Sequence, residues 1–462
     1  MTPRETGVDE NLVELRRSLA GSVLGPADAE YDAARRCFNA LVDRRPAVIA
    51  RCQSAGDVAT AFDFARTQEL EVAVRGGGHN PAGHCVSDGA LVIDLSPMRR
   101  VEVQADTRVA LADGGATWLD FDAPTQAFGL VTPGGVVGST GVCGLTLGGG
   151  IGHLTAQHSL TCDNLVGAEL VTPDGAVIRA THDENAELLW GLRGAGGNFG
   201  VATRLEFRLH PLDRVVGGVL TYVGKPVREA LRRFRDVAAS SPRDLSCQAT
   251  LTVDESLATT LIVVPCSTSS DGDSQELRAL RSAPGLVDDG LRAHTFLDQQ
   301  HVIDSAYGEY RHYWKGHFVR ELPDELLDEL LERIVALGRS PGGILIESLH
   351  GAPKDADAST GVVGFRDAAF NVSAQAVWQG AELDQESIQW ARDTATTIEP
   401  WSFGGGYVNY MQADEPIERV RAAFGPEAFE RLQVLKRRYD PNNVLHRNQN
   451  IPPFDRGAVG SV

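Results

Sequence analysis

No run of about 18 consecutive apolar residues occurs in this 462-residue chain, so no segment has the length to cross a bilayer as a helix. The first residues, MTPRETGVDENLVELRR, lack the apolar core of a secretory signal. The seven cysteines (Cys37, Cys52, Cys85, Cys143, Cys162, Cys247, Cys266) are odd in number, scattered and free of any C-x-x-C, which argues against a disulfide framework and a zinc site. Basic charge is scarce: 43 Lys and Arg stand against 62 Asp and Glu, a net charge of −19, and nucleic acid or an anionic membrane needs the opposite. The expectation is a soluble cytoplasmic protein with no metal, nucleic-acid or membrane partner, its oligomeric state open. The acidic run DELLDELLE (Asp324 to Glu332) reads as the solvated face of a helix.

Two phosphate-binding signatures are missing as well. The chain has no G-x-x-x-x-G-K-[ST] and no G-x-G-x-x-G, which disfavours a P-loop or a Rossmann site. It has instead 49 glycines, many gathered in tracts. The first is V-R-G-G-G-H-N (Val74 to Asn80), the second TPGGVVGSTGVCGLTLGGGIG (Thr132 to Gly152), and the third RGAGGNFGVAT (Arg193 to Thr203). Glycine lets the backbone adopt positive φ and lets another surface approach to main-chain distance. Amides spread over separated loops suit an extended dinucleotide, the N–H groups facing its phosphates as anion nests do, and flavin adenine dinucleotide (FAD) is the natural candidate.

Between the tracts the texture is α/β. Apolar positions such as Leu12, Val13 and Leu19 predict helices within residues 1 to 45; Gly56 to Leu70 is an amphipathic helix, and EVAVR and ALVIDL are strands. ELVTPDGAVIRA (Glu169 to Ala180) is a hairpin turning at Pro173, Asp174 and Gly175, and DENAELLWGLRG is a short helix. From Val216 to Glu399 the glycine clusters stop, and strands (ATLTVDES, TTLIVVP, GGILIESL) alternate with helices, which predicts a second domain forming a lid. From Trp401 glycine returns in FGGGYVNY, and the chain ends with a helix and YDPNNVLHRNQNIPP.

The order of these motifs, R-G-G-G-H, P-G-G…G-L-T-L-G-G-G-I-G, C-D-N-L with T-P-D-G, R-G-A-G-G-N-F-G-V-A-T, Y-V-N-Y and Y-D-P-N-N-V-L-H-R-N-Q-N-I-P-P, covers nearly the whole chain. It resembles the FAD-linked oxidases of the berberine bridge enzyme type, in the vanillyl-alcohol oxidase superfamily, nearest to bacterial hydroxynicotine oxidases and polyketide-tailoring oxidases. The resemblance implies an α+β, two-domain FAD-binding fold: residues 1–215 as the first part of the FAD domain, 216–400 as a substrate domain of antiparallel sheet covered by helices, and 401–462 completing the FAD domain.

It also implies residue roles. The first tract would hold the cofactor through Arg75, Gly76, Gly77, Gly78, His79, Asn80 and Gly83, with His79 bonded through its ring to the flavin's 8α-methyl carbon. The second would act through Pro133, Gly134, Gly135, Gly138, Ser139, Thr140, Gly141, Cys143, Gly144, Gly148, Gly149, Gly150 and Gly152; the third through Asn198, Gly200 and Val201; the last through Tyr407, Asn409, Asn448 and Asn450. A second covalent bond from Cys143 is disfavoured, because the linking cysteine of bicovalent relatives aligns with Val137; a monocovalent flavin is expected. Gly135 falls near the position that controls oxygen access in relatives, which favours an oxidase. Where close relatives carry a basic pair and an aromatic, this chain has G-I-G-H-L-T-A-Q-H-S-L, and His153 and His158 are open to facing the ligand or, preferably, filling space.

The resemblance implies Tyr410 as the base, since relatives that oxidise alcohols use a tyrosine there, and a phenol with an ordinary value near 10 needs a neighbouring donor or cation to work as one. Tyr407, three residues earlier, would lie on the opposite face of a strand. In the lid, SAYGEYRHYWKGHF (Ser305 to Phe318), with Arg311, His312, Lys315 and His317, reads mostly as a sealed face. Glu347 breaks an apolar strand, where an unpaired carboxylate would be costly. Glu347 joins the two tyrosines as a catalytic candidate, and Gln375, Trp378 and Tyr313 are candidate substrate contacts. The expected activity is hydride transfer from a small, cyclic alcohol or natural-product intermediate to the flavin, with O2 as acceptor and H2O2 released. Alternatives are a flavin dehydrogenase, a bicovalent carbohydrate oxidase, or a flavin-binding module without catalysis.

Overall fold

A computed structural model describes residues 12–269, 272–304, 310–338 and 340–454. Alternation and helical periodicity resolve into three sheets that matter for the site. The first is four-stranded. Val72–Arg75 and Val48–Arg51 each run parallel to Leu91–Asp94 between them, and Ser22–Leu24 pairs antiparallel with Val48–Arg51. The expected amphipathic helix forms over Ala55–Thr67, started by Ser54, whose side chain accepts from the Asp57 amide, and burying Val58, Ala61, Phe62 and Ala65. A helix over residues 12–18 buries Leu12 and Leu15 but leaves Val13 exposed, Leu19 is buried just beyond it, and Ser22–Leu24 is a strand rather than more helix.

The second sheet is antiparallel in the order Val101–Gln104, Val109–Asp113, Val201–Arg208, Leu165–Val171, Val177–Thr181. Its last two strands form the predicted hairpin, Gly175 supplying φ +88° at the turn. Helices Ile417–Phe424 and Pro426–Tyr439 pack Val420, Phe424, Phe429, Leu432 and Leu435 into the core of this sheet.

The third sheet is nine-stranded among the described residues and its pairs are antiparallel. Its path runs Leu286–Asp289, Leu220–Val223, Thr259–Ser267, Leu245–Val253, Gly343–Ser348, Phe370–Trp378, Arg311–Val319; Arg214–Gly217 pairs with Thr259–Ser267, and Arg292–Thr295 pairs with Arg214–Gly217. Helices Val227–Ser240, Asp324–Val335 and Asp384–Ile398 cover one face. Asp324–Val335 buries Leu326, Leu327, Leu330, Leu331 and Ile334 there and leaves its acidic positions outward, each large apolar side chain contributing roughly 1.5–3 kcal/mol. The other face meets the glycine tracts.

Candidate active site

One cavity runs along the glycine tracts. Gly76, Gly77, Gly78, His79 and Asn80 line it, as do Gly135, Thr140, Gly141, Cys143, Gly144 and Gly148, then Gly200 and Val201, then Tyr407, Asn409, Tyr410 and Asn448. Two glycine effects shape it. A Cβ on Gly77 would collide with the backbone of Gly141, and a Cβ on Gly141 with that of Gly77, so the two tracts touch main chain to main chain. At Gly144 and Gly197 a Cβ would meet nothing within 4 Å, so the wall there is bare backbone facing open space. Amide-lined space with apolar residues at Val72, Val74, Leu95 and Ala202 fits a dinucleotide carrying flat rings.

The other expected cofactor residues stand behind this wall. Arg75 donates to the carbonyl of Ala34, and Gly83 packs against Val42. Gly134 packs on Trp118, Gly152 abuts the carbonyl of Gly134, and Gly138 donates its amide to Asp304 at 2.8 Å. Pro133, Ser139, Gly149 and Gly150 also lie outside the lining. Asn198 is a clip, its Nδ2 donating to Ala195 O at 2.6 Å and its Oδ1 accepting from Ile451 N at 3.1 Å. Asn450 does not line the cavity either, and its buried Oδ1 has no partner.

His79 follows Gly78 at φ +70° and projects into the cavity. Its ring stacks on Phe38 at 4.5 Å, and Phe38 stacks in turn on His312 at 4.3 Å. Ser139 Oγ lies 2.9 Å from Nε2 and Thr140 Oγ1 lies 3.4 Å from Nδ1. Burial pushes its pKa down to about 4 against the pull of Asp304, so the imidazole is neutral and its lone pair is available for bonding at neutral pH. Cys143 is the second residue of a helix over Val142–Leu147, and burial pushes its thiol up to about 12, far from a thiolate.

Tyr407 and Tyr410 depart from the strand reading. Val408–Tyr410 is a single 3-10 turn, which brings residues three apart onto one side, and the two rings meet edge to face at 4.8 Å. Tyr407 Oη accepts from Gly150 N at 3.0 Å, Ile151 N at 3.2 Å and Asn409 Nδ2 at 2.9 Å. Asn409 also donates to Leu145 O at 3.0 Å, which orients its amide. So held, Tyr407 fastens the loop that carries Gly150 and Ile151.

Tyr410 instead donates to Glu347 Oε1 at 3.2 Å, and Asn371 Nδ2 donates to Oε2 at 2.7 Å. Glu347 is 2% exposed, and burial pushes its carboxyl up to about 7 despite both hydrogen bonds. The partner of Tyr410 expected from sequence was a donor or cation; the one described is an acceptor. Trp314 packs edge to face on Tyr410 at 5.3 Å and completes this wall.

The period of two in the sheet decides which lid residues reach the site. Trp314 pairs with Gln375 and Glu347 with Asn371, so these share the cavity face, and of the four Trp314 lines the cavity while Gln375, Glu347 and Asn371 stand behind it. Tyr313 and Trp378, expected as substrate contacts, belong to the opposite, helix-covered core, where Tyr313 donates to Asp414 at 2.8 Å and Trp378 to Asp384 at 2.8 Å. Arg311 and Lys315 are bound to Asp384 and Glu415, as a sealed face requires; Ser305 to Glu309 lie outside the described residues. Neither His153 nor His158 lines the cavity: His153 is buried, and His158 stacks on His210 at 3.9 Å. Sequence reasoning missed Phe38, Asp304 and Asn371, which reach the site from distant segments, while Trp314 stood unweighed in an aromatic run. No group of three or more His, Cys, Asp or Glu able to hold a metal occurs among the described residues.

Comparison with known proteins agrees with this architecture. A family model described as "FAD binding domain" matches residues 46–181, and one described as "Berberine and berberine like" matches residues 406–452. The chain is 32% identical to (R)-6-hydroxynicotine oxidase of Paenarthrobacter nicotinovorans over 451 residues, 94% of this chain and 97% of that one. Among solved structures, 6-hydroxy-D-nicotine oxidase from Arthrobacter nicotinovorans superposes with a TM-score of 0.85 at 29% identity, covering 95% and 99% of the two chains. Berberine bridge enzyme from Eschscholzia californica superposes with a TM-score of 0.87 at 19% identity, covering 97% and 99%, a likeness of fold.

Proposed function

The chain belongs to the FAD-linked oxidoreductases of the berberine bridge enzyme type, and from that premise we propose that it oxidises a small cyclic alcohol or natural-product ring, with O2 as acceptor and H2O2 released. The observation that carries this reading is the Tyr410–Glu347 hydrogen bond at the cavity wall, a phenol whose proton has a carboxylate to go to. FAD, when bound, supplies a two-electron acceptor for hydride from a carbon bearing oxygen or nitrogen.

The chain's own residues supply the rest. Tyr410 Oη takes the proton of the substrate hydroxyl as its own proton moves to Glu347 Oε1, so neither group has to be a strong base alone. Asn371 holds the other carboxylate oxygen and keeps Glu347 aimed at Tyr410. Trp314 and Tyr410 wall the reacting space and exclude water from it. Gly76, Gly77, Gly78, Gly141, Gly144 and Gly148 present bare main chain to the cofactor, and His79 Nδ1 or Nε2 would bond to it. Cys143, a buried neutral thiol, supports one covalent bond rather than two.

The test is acid denaturation of the flavin-loaded protein. The expected result is one flavin adduct that stays with the polypeptide and maps to the His79 peptide. Flavin found wholly in the supernatant overturns the covalent link. An oxygen-electrode assay over a panel of cyclic alcohols is expected to show H2O2, and reduction of an artificial acceptor without any H2O2 overturns the oxidase reading in favour of a dehydrogenase.

A further inference from the structure

Beside the Tyr410–Glu347 pair is a second, small cavity of about 10 Å³, the room of a single water molecule. Ile151, Gly152, His153, Ser246, Gln248 and Glu347 are among its walls, so it is polar on several sides. Both Glu347 and His153, a histidine that the cofactor site does not use, line it. His153 is 4% exposed, and its Nε2 has no hydrogen-bond partner. His294 stands close enough to oppose its protonation, and is itself buried with an unpartnered Nδ1. His294 Nε2 shares a hydrogen bond with Gln299 Oε1 at 2.9 Å, and Gln299 Nε2 is again unpartnered. Buried polar atoms in native proteins are nearly all satisfied, and where protein partners are missing ordered water takes their place. A polar cavity lined by Glu347 and by a buried histidine with an unpartnered ring nitrogen, with a second such histidine near it, is the arrangement expected of a hydrated proton path.

We propose that this cavity holds one ordered water bonded to both Glu347 and His153, and that His153 and His294 carry the proton accepted by Glu347 away from the substrate side. The transfer moves protons only. Glu347 gives its proton to the water as the water gives one to His153; each imidazole takes a proton at one ring nitrogen and releases the other, and no electrons change place. His294 lies in the edge strand Arg292–Thr295, paired with Val215 on the face that packs against Val131 and Leu154, and its chain neighbours Arg292 and Ala293 are exposed, so the path leads along that face to the edge of the sheet. A bound substrate closes the direct way out past Trp314 and Tyr410, and a rear exit lets Glu347 reset while the cavity is full.

His153 is a positioning residue in this scheme, and its role is read without substrate turnover. The titratable groups facing Glu347 are Tyr410 and Tyr407 on the cofactor side and His153 across the cavity, with His294 behind it. In the flavin-loaded protein, the infrared band of the protonated Glu347 carboxyl, assigned by its loss in Glu347→Gln, is titrated against pH. A crystal structure of the same protein is expected to show a water within hydrogen-bond distance of Glu347 and His153. In His153→Leu the carboxylate loses a water-borne donor, so the midpoint should rise by about one pH unit, and His153→Gln should return it to the wild-type value. A cavity without a water, or the same midpoint in wild type and both variants, overturns the inference; should His153→Leu fail to fold, the crystal structures of wild type and His153→Gln decide. The inference rests on Glu347 as proton acceptor, and that assignment fails separately if Glu347→Gln retains full turnover.

Discussion

Glu347 concentrates the chemistry at the scale of one residue. A carboxylate on a strand buried at every position is tolerated because Asn371 and Tyr410 satisfy its oxygens, and what burial then does is raise its affinity for a proton. A group poised to about 7 accepts and releases protons at neutral pH with little free-energy difference either way. Glu347→Gln keeps the shape and the Asn371 contact but removes the proton acceptor. Turnover is expected to fall by roughly 10²–10⁴-fold with the flavin content unchanged, measured by anaerobic flavin reduction with the substrate found in the alcohol panel. In the wild type the reduction rate should rise with pH through about 7, because the relay needs ionised Glu347, and a flat profile between pH 6 and 8 would remove Glu347 from the step.

The helix Pro426–Tyr439 shows what a single element contributes. Lys436 and Asp440, both fully buried, pair at 2.6 Å near its end. Lys436 also donates to Asn198 O and Leu445 O at 2.9 Å each, and Asp440 accepts from Val444 N at 2.8 Å and Leu445 N at 2.9 Å. One ion pair thus ties the third glycine tract to the C-terminal turn that carries Asn448 to the cavity. Lys436→Met leaves a buried carboxylate without its cation, and urea unfolding is expected to show a loss of about 3–5 kcal/mol. A loss under 1 kcal/mol would mean that water reaches the pair.

Over the whole molecule the response to acid follows from its histidines. His79, His84, His153, His312 and His317 are all largely buried and held well below the ordinary value near 6.5, burial being the first cause in each. The unfolded chain binds protons at these five sites when the folded one does not, so stability is lost as pH falls through the window from about 6.5 to 4. Asp122 and Glu347, both raised to about 7 by burial, act with the opposite sign over much of that range. His158, His210 and His350 are lowered by burial as well, so eight histidines stand against two carboxyls and the balance favours unfolding on acidification. The urea midpoint should therefore fall between pH 6 and 5, and a midpoint that rises over that interval would show the histidines to be hydrated in solution.

Much of this was legible in the chain itself, for a physical reason. Glycine tracts, a hairpin turn at Pro173–Gly175 and an amphipathic helix are local demands of backbone conformation and periodicity, and neighbours in sequence are enough to express them. His79 after three glycines, and Glu347 inside an apolar strand, stand out in the same way. What only the tertiary structure decided is which face each side chain sees and who arrives from elsewhere. Tyr313 and Trp314 are adjacent aromatics in a strand polar and apolar on both sides, so nothing local says that three helices cover the face of Tyr313 and leave Trp314 to the cavity. Tyr407 and Tyr410 share a side because the chain makes a 3-10 turn there. The partners that set their roles, Gly150 and Ile151 for one and Glu347 for the other, lie 257, 256 and 63 residues away, beyond any local pattern.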